Sequence, residues 1–143
     1  LFVQSTMVET DLSFSVLSMT DFTDAMLLNA NLTSADLRGV KFAGANMIGV
    51  NLKQAKMGPM PISSLQGKKW HASLENANLS QAVMAGCDLS GANLSQAIMM
   101  HTDLRDANLA GADLSGADLT GADLRDANLA GADLRSAIGV NLS

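Results

Sequence analysis

A five-residue period runs through almost the whole chain, and it constrains the fold more than any other property. From Ala107 the sequence reads A-N-L-A-G, A-D-L-S-G, A-D-L-T-G, A-D-L-R-D, A-N-L-A-G and A-D-L-R-S, ending at Ser136. Extended backwards, the same frame places an apolar centre every fifth residue from Leu74 to Leu134. Eleven of these thirteen centres are leucine and the other two are Met84 and Met99. Alanine stands two residues before each centre, except for Cys87 and Thr102, and ten of the thirteen positions just before a centre hold Asp or Asn. The N-terminal half repeats the pattern in degenerate form. Its centres run from Phe2 and Met7 through Phe22, Leu32 and Phe42 to Met57, with small residues such as Ser5, Ala25, Ala35 and Ala55 two places earlier.

A period of five fits neither regular element. On a helix of 3.6 residues per turn the centres would spread around the whole cylinder. On a flat strand, odd spacing would send alternate centres to opposite faces. The chain must turn once per repeat, so that each centre and each preceding small residue points to one common interior. That describes a solenoid in which each coil buries its core against the next. Asp and Asn suit the turns because they tolerate unusual backbone angles and bond nearby backbone, and glycine relieves the corners. The composition agrees: 48% of residues are apolar, yet aromatics make up 3%, while alanine and leucine number 21 each. Each rung accepts one leucine-sized and one alanine-sized group. Charged residues are only 16%, which argues against disorder. No stretch approaches the roughly 20 apolar residues of a membrane-spanning helix.

The tandem A-[D/N]-L-x-x signature resembles the pentapeptide repeat family, and the resemblance covers nearly the whole chain outside 58–71. It implies an all-β fold: a right-handed quadrilateral parallel β-helix with four repeats per coil, about six to seven coils and one loop insertion. The expected organisation is a single β-helix over 1–143, with repeat blocks 2–57 and 72–138 around an insertion at 58–71. With 20 residues per coil, Phe2, Phe22 and Phe42 fall into one interior column, where their rings would stack. Leu109, Leu114, Leu119, Leu124 and Leu129 supply structural core further along.

An outward column is more informative. Val8, Leu28 and Ile48 each follow a centre and lie 20 apart, and Met26 sits beside Leu28 on the same wall. Ile98 and Met100 join that wall only if 58–71 is a simple outward loop that makes Leu74 the next centre after Met57. A competing register keeps Ile62 as a centre above Phe42. Such a wall reads either as scattered surface residues or as a protein contact.

The interruption Gly58-Pro-Met-Pro-Ile-Ser-Ser-Leu-Gln-Gly-Lys-Lys-Trp-His71 holds both prolines and the single tryptophan. Proline cannot donate to a ladder, so this segment leaves the coil. Lys68, Lys69 and Trp70 are candidate partner contacts; alternatively Trp70 and Leu65 fold back over the rod. Cys87 occupies an inward alanine position and reads as a small core group rather than a nucleophile. His71 and His101 lack spaced Cys or His partners, so neither a metal nor any other cofactor is expected. Carboxylates are numerous, but a catalytic pair needs a cleft that a filled solenoid does not supply, and no catalytic residue is assigned. Arg105 and Arg125 lie 20 apart, as do Asp106 and Asp126, and are expected to pair across coils.

Net charge is −5, with nine acidic and three basic residues over 72–143. An acidic rod disfavours direct nucleic-acid binding. The frame already runs at Phe2, and Gly139 breaks it before Val140-Asn141-Leu142, with no capping helix evident at either end. The expectation is a processed chain, a piece of a longer protein, or a homo-oligomer joined through an uncapped coil end. No targeting signal or span is visible, which favours the cytoplasm. The leading function is a non-enzymatic scaffold that binds a protein partner. The resemblance also raises a DNA-mimicking inhibitor or protector of DNA gyrase, and an adaptor domain of a larger protein is a third reading.

Overall fold

Each repeat makes one short bridge to its neighbouring coils and then one tight turn. In the computed structural model, which describes residues 1–62 and 67–142, parallel bridges link residues 20 apart throughout each block. Four columns of bridges result, and they define the four sides of a rod. The first side runs Thr6, Met26, Asn46, Asn78, Ile98, Asp118, Ile138; the second Asp11, Asn31, Asn51, Val83, Asp103, Asp123. The third runs Val16, Asp36, Lys56, Asp88, Asn108, Asn128; the fourth Asp21, Lys41, Ser73, Asn93, Asp113, Asp133.

The turn explains why five residues suffice. The amide three residues beyond each centre donates to that centre's carbonyl, as in Ala25 N to Phe22 O at 3.0 Å. The residue two beyond the centre takes the left-handed region in repeat after repeat, from Gln4 (φ 54°) to Ser136 (φ 59°). The residue before it does not, which is the type II arrangement. Asp and Asn serve the turn in both expected ways. Asp24, Asn29, Asn76, Asp106 and Asp126 take the left-handed corner itself. Those just before a centre instead each accept the amide two residues on: Thr23 N to Asp21 Oδ1 at 3.0 Å, Thr33 N to Asn31 Oδ1 at 3.1 Å. This side-chain acceptor holds the entry to the turn.

The left-handed corner needs glycine only in certain coils. A side chain on one coil lies over the corner of the next, so that a Cβ on Gly121 would come within 2.4 Å of His101 Nδ1. A Cβ on Gly111 would meet nothing within 4 Å, although φ there is also positive, at 67°. Gly111→Ala should therefore cost only the left-handed strain of about 1–2 kcal/mol. Gly121→Ala should cost more and displace His101, a difference readable by denaturant titration and the His101 NMR signals. Equal costs with an unmoved His101 would contradict the corner packing.

The interior is built from the centres and the small residues. Phe22 and Phe42 are fully buried, and the rings of Phe2, Phe22 and Phe42 stack at centroid distances of 5.2 and 5.1 Å. Leu109, Leu114 and Leu119 are fully buried and Leu124 nearly so; Phe2 and Leu129, on the end coils, are partly exposed. Thr102 replaces alanine in the core because its hydroxyl donates to Met99 O at 2.8 Å or Leu79 O at 3.0 Å. Cys87 is fully buried, and desolvation together with the nearby Asp88 carboxylate pushes its thiol pKa up, away from the thiolate.

The bridge Lys41–Ser73 and the bond from Phe42 N to Ser73 O at 2.7 Å settle the register across the interruption. Leu74 follows Met57 as the next centre, and Ile62 is not a rung. The spacing of 32 instead of 20 means that twelve residues are inserted at one corner. Their described residues include an antiparallel pair, the hairpin strands β1 (Met60–Pro61) and β2 (Lys69–Trp70), with Met60 opposite Trp70. Leu65 lies outside the described residues. At the far end the chain leaves the frame at Gly139, and Val140 packs against the core. No helix among the described residues is long and apolar enough to cross a membrane.

Candidate protein-binding face

With the register fixed, the outward apolar residues fall on one side. The first side presents Val8, then Met26 with Leu28, then Ile48, each on successive coils. Asn78 and Ser80 interrupt it, after which Ile98 and Met100 resume the column; Asp118 and Thr120 interrupt it again before Ile138. Val8, Met26, Ile98 and Ile138 are exposed, whereas Leu28, Ile48 and Met100 are half-buried by neighbouring coils. The same side is nearly free of charge: among its described residues only Glu9 and Asp118 are ionic. No lysine or arginine stands on it.

The other sides are charged and polar. Arginines pair with aspartates in their own repeat: Arg38–Asp36 at 2.6 Å, Arg105–Asp103 at 2.7 Å, Arg125–Asp123 at 2.5 Å and Arg135–Asp133 at 2.6 Å. This corrects the expectation of cross-coil pairing. Guanidinium and carboxylate two residues apart share one side and one coil, so the nearer partner wins. Only the Arg105–Asp123 contact, at 3.8 Å, joins coils among these arginine pairs. Hydrogen bonds from Arg125 hold the Asp123 pKa down to about 2, with Arg105 adding a weaker pull. Asp36, Asp103 and Asp133 are lowered chiefly by Arg38, Arg105 and Arg135, and Asp11, Asp21 and Asp118 by Ser13, Thr23 and Thr120.

These shifts carry a sign. A carboxyl group whose folded pKa lies below its unfolded value of about 3.9 contributes stability above that value and loses it as pH falls. Melting temperature should hold from pH 7 to about 5 and decline between about pH 4 and 2. The decline should be modest, because the groups are solvated and Asn already performs the same turn role in other repeats. Circular dichroism melts across this range check it, and an unchanged melt at pH 2 would contradict it.

The hairpin occupies the opposite part of the rod. It leaves after Met57, a centre of the third side, so Lys68, Lys69 and Trp70 stand away from the apolar column. The two sets of candidate contacts cannot meet one flat partner together. Lys68 and Lys69 are exposed, and Trp70 remains 48% exposed while leaning toward the corner at Gly39. A Cβ on Gly39 would meet Met19 Sδ at 2.5 Å and Trp70 Cβ at 3.3 Å. Glycine at that corner thus leaves room for both side chains. Phe14 and Val16, 76% and 78% exposed, add apolar surface to the first coil nearby. Sequence columns alone missed this group, although large apolar residues at outward positions were the available signal.

A four-sided parallel β-helix built on five-residue turns is the class of protein these features define. A family model described as pentapeptide repeats matches residues 5–42, 35–57, 70–100 and 102–138 in eight copies, and the chain belongs to that family. Its helix is accordingly right-handed. Among solved structures, a trypsin-treated form of QnrB1, a plasmid-mediated fluoroquinolone resistance protein, is similar with a TM-score of 0.60. That alignment has 22% identity and covers 97% of this chain and 76% of that one. A pentapeptide repeat protein from the cyanobacterium Cyanothece 51142 aligns at 23% identity over 93% of this chain and 86% of its own, with a TM-score of 0.44. No curated protein matches the chain by sequence.

Proposed function

We propose that this protein is a non-enzymatic interaction scaffold whose first side binds another protein chain. The observation that carries the reading is the column Val8, Met26, Leu28, Ile48, Ile98 and Met100 on the side that holds almost no charge. Isolated surface hydrophobes need no explanation, but alignment on one face together with charge depletion is the composition of an interface centre. The family points the same way, since its members are typically scaffolds rather than enzymes. The hairpin residues Lys68, Lys69 and Trp70 form a separate candidate contact on the far side.

A gyrase inhibitor or protector is the alternative that the fold shared with QnrB1 brings in. Mimicry of duplex DNA needs an uninterrupted acidic surface, whereas Asp36, Asp103, Asp123 and Asp133 each carry an arginine partner. Charge therefore favours the scaffold reading. A photocrosslinking residue placed at Leu28 should capture a protein partner, while the same group at Ala110 on the third side should not. Capture from Ala110 alone would overturn the assignment. Inhibition of DNA supercoiling by micromolar protein would favour the alternative.

A further inference from the structure

We propose that the chain on the first side's far partner surface is a second copy of this protein, the two rods lying side by side in parallel with each rung against the same rung. This rests on the reading of the first side as a contact face and names its occupant. Three observations carry it. The chain is acidic, at −5, and its second and fourth sides bear most of the charged groups. Bringing two copies together through those sides opposes like charges, which is unfavourable. The first side presents only Glu9 and Asp118, the fewest charged groups of the four sides. The third side, where Asp36 and Asp88 are balanced by Arg38 and Lys56, is bordered by the projecting hairpin, which leaves the first side as the open one.

The order of rungs selects the alignment. Along the first side Val8, Met26 with Leu28, and Ile48 precede the polar rung Asn78 with Ser80; Ile98 with Met100 precedes Asp118 with Thr120. In parallel register every apolar rung meets an apolar rung. The Asn78–Ser80 rung meets itself, and its amide and hydroxyl both donate and accept. An antiparallel arrangement about Asn78 sets Met26 and Leu28 against Asp118 and Thr120. A parallel shift of one rung sets Ile48 against Asn78 and Ile98 against Asp118. A two-fold axis along the rods closes the parallel pair without generating filaments. Area is sufficient: one side's share of the 6892 Å² surface is at most roughly 1,700 Å², about twice the ~800 Å² per partner of a standard interface.

Two like-charge contacts arise, Glu9 and Asp118 each against its own copy, and Asp118 is the one within the ladder itself. Asn occupies the same place in the turn at Asn78 and Asn46, accepting the same amide, so Asp118→Asn should preserve the fold and tighten the dimer. Sedimentation velocity over about 1–200 µM protein is the test. The native chain should pass from monomer to dimer with no larger species. The double variant Leu28→Glu, Ile48→Glu should stay monomeric across that range with an unaltered melt, and Asp118→Asn should dimerise at least about threefold more tightly. A native chain that is monomeric throughout, a dimer that survives the glutamates, or an Asp118→Asn dimer no tighter than the native one would overturn the proposal. A monomeric chain whose Leu28 crosslinker still captures a different protein overturns the dimer alone; a chain that does neither overturns the contact face as well.

Discussion

Phe22→Ala is expected to destabilise the rod by about 3–5 kcal/mol, among the largest losses available to a single substitution. Phe22 is fully buried and its ring is stacked on both Phe2 and Phe42, so truncation opens a cavity between two rings that cannot both close on it. Coils above and below are pinned by their own ladders, with Phe22 N bonded to Lys41 O at 2.7 Å, which limits collapse. Phe42→Leu is the instructive contrast. The column above Phe42 continues as Leu74, so a leucine there has a leucine neighbour and should cost closer to 1–1.5 kcal/mol. Denaturant unfolding followed by circular dichroism measures both. A loss below about 1 kcal/mol for Phe22→Ala would show that the aromatic column does not organise the N-terminal coils.

The second large effect follows from the register. Deleting residues 59–70 removes twelve residues and joins Gly58 to His71, which then takes the left-handed corner position. Histidine already adopts that conformation at His101, with φ 56°, and His71 already lies against Gly91. The shortened chain should fold into an unbroken rod with a melting temperature within about 5 °C of the native one. Deleting 59–71, one residue more, leaves the corner a residue short. The coil then cannot keep both Met57 and Leu74 inward, because a one-residue slip turns inward side chains out. That chain should be insoluble or unfolded. Equal behaviour of the two deletions would mean that the insertion does not sit at a corner of a fixed twenty-residue coil.

The five-residue period made the fold legible, because only a turn in every repeat sends all the leucines inward. The coil length came with the resemblance to the pentapeptide repeat family, and three phenylalanines 20 apart agreed with it. The path through 58–71 was not, since Ile62 and Leu74 both offered an apolar centre and only the ladder from Phe42 to Ser73 distinguishes them. The arginine partners were misjudged because stacking at 20 residues drew attention away from the carboxylate two residues earlier. The apolar column was visible as residues 20 apart, but its polar breaks at Asn78 with Ser80 and at Asp118 with Thr120, its extension to Ile138 and its scarcity of charge emerge only once the register is known. Trp70 depended on the hairpin, whose course the repeat does not encode.

The central claim is that the first side is where this scaffold binds another chain, and a matched pair of double variants tests it most directly. Leu28→Glu with Ile48→Glu charges the first side; Ala110→Glu with Ala130→Glu makes the same kind of change on the third. Binding of the chain captured from Leu28 should fall at least about 100-fold for the first pair, the scale expected when charges enter an interface centre. It should stay within about twofold for the second, with both proteins retaining the native circular dichroism melt. Equal loss in both pairs, or loss confined to the Ala110 and Ala130 variant, would contradict the account.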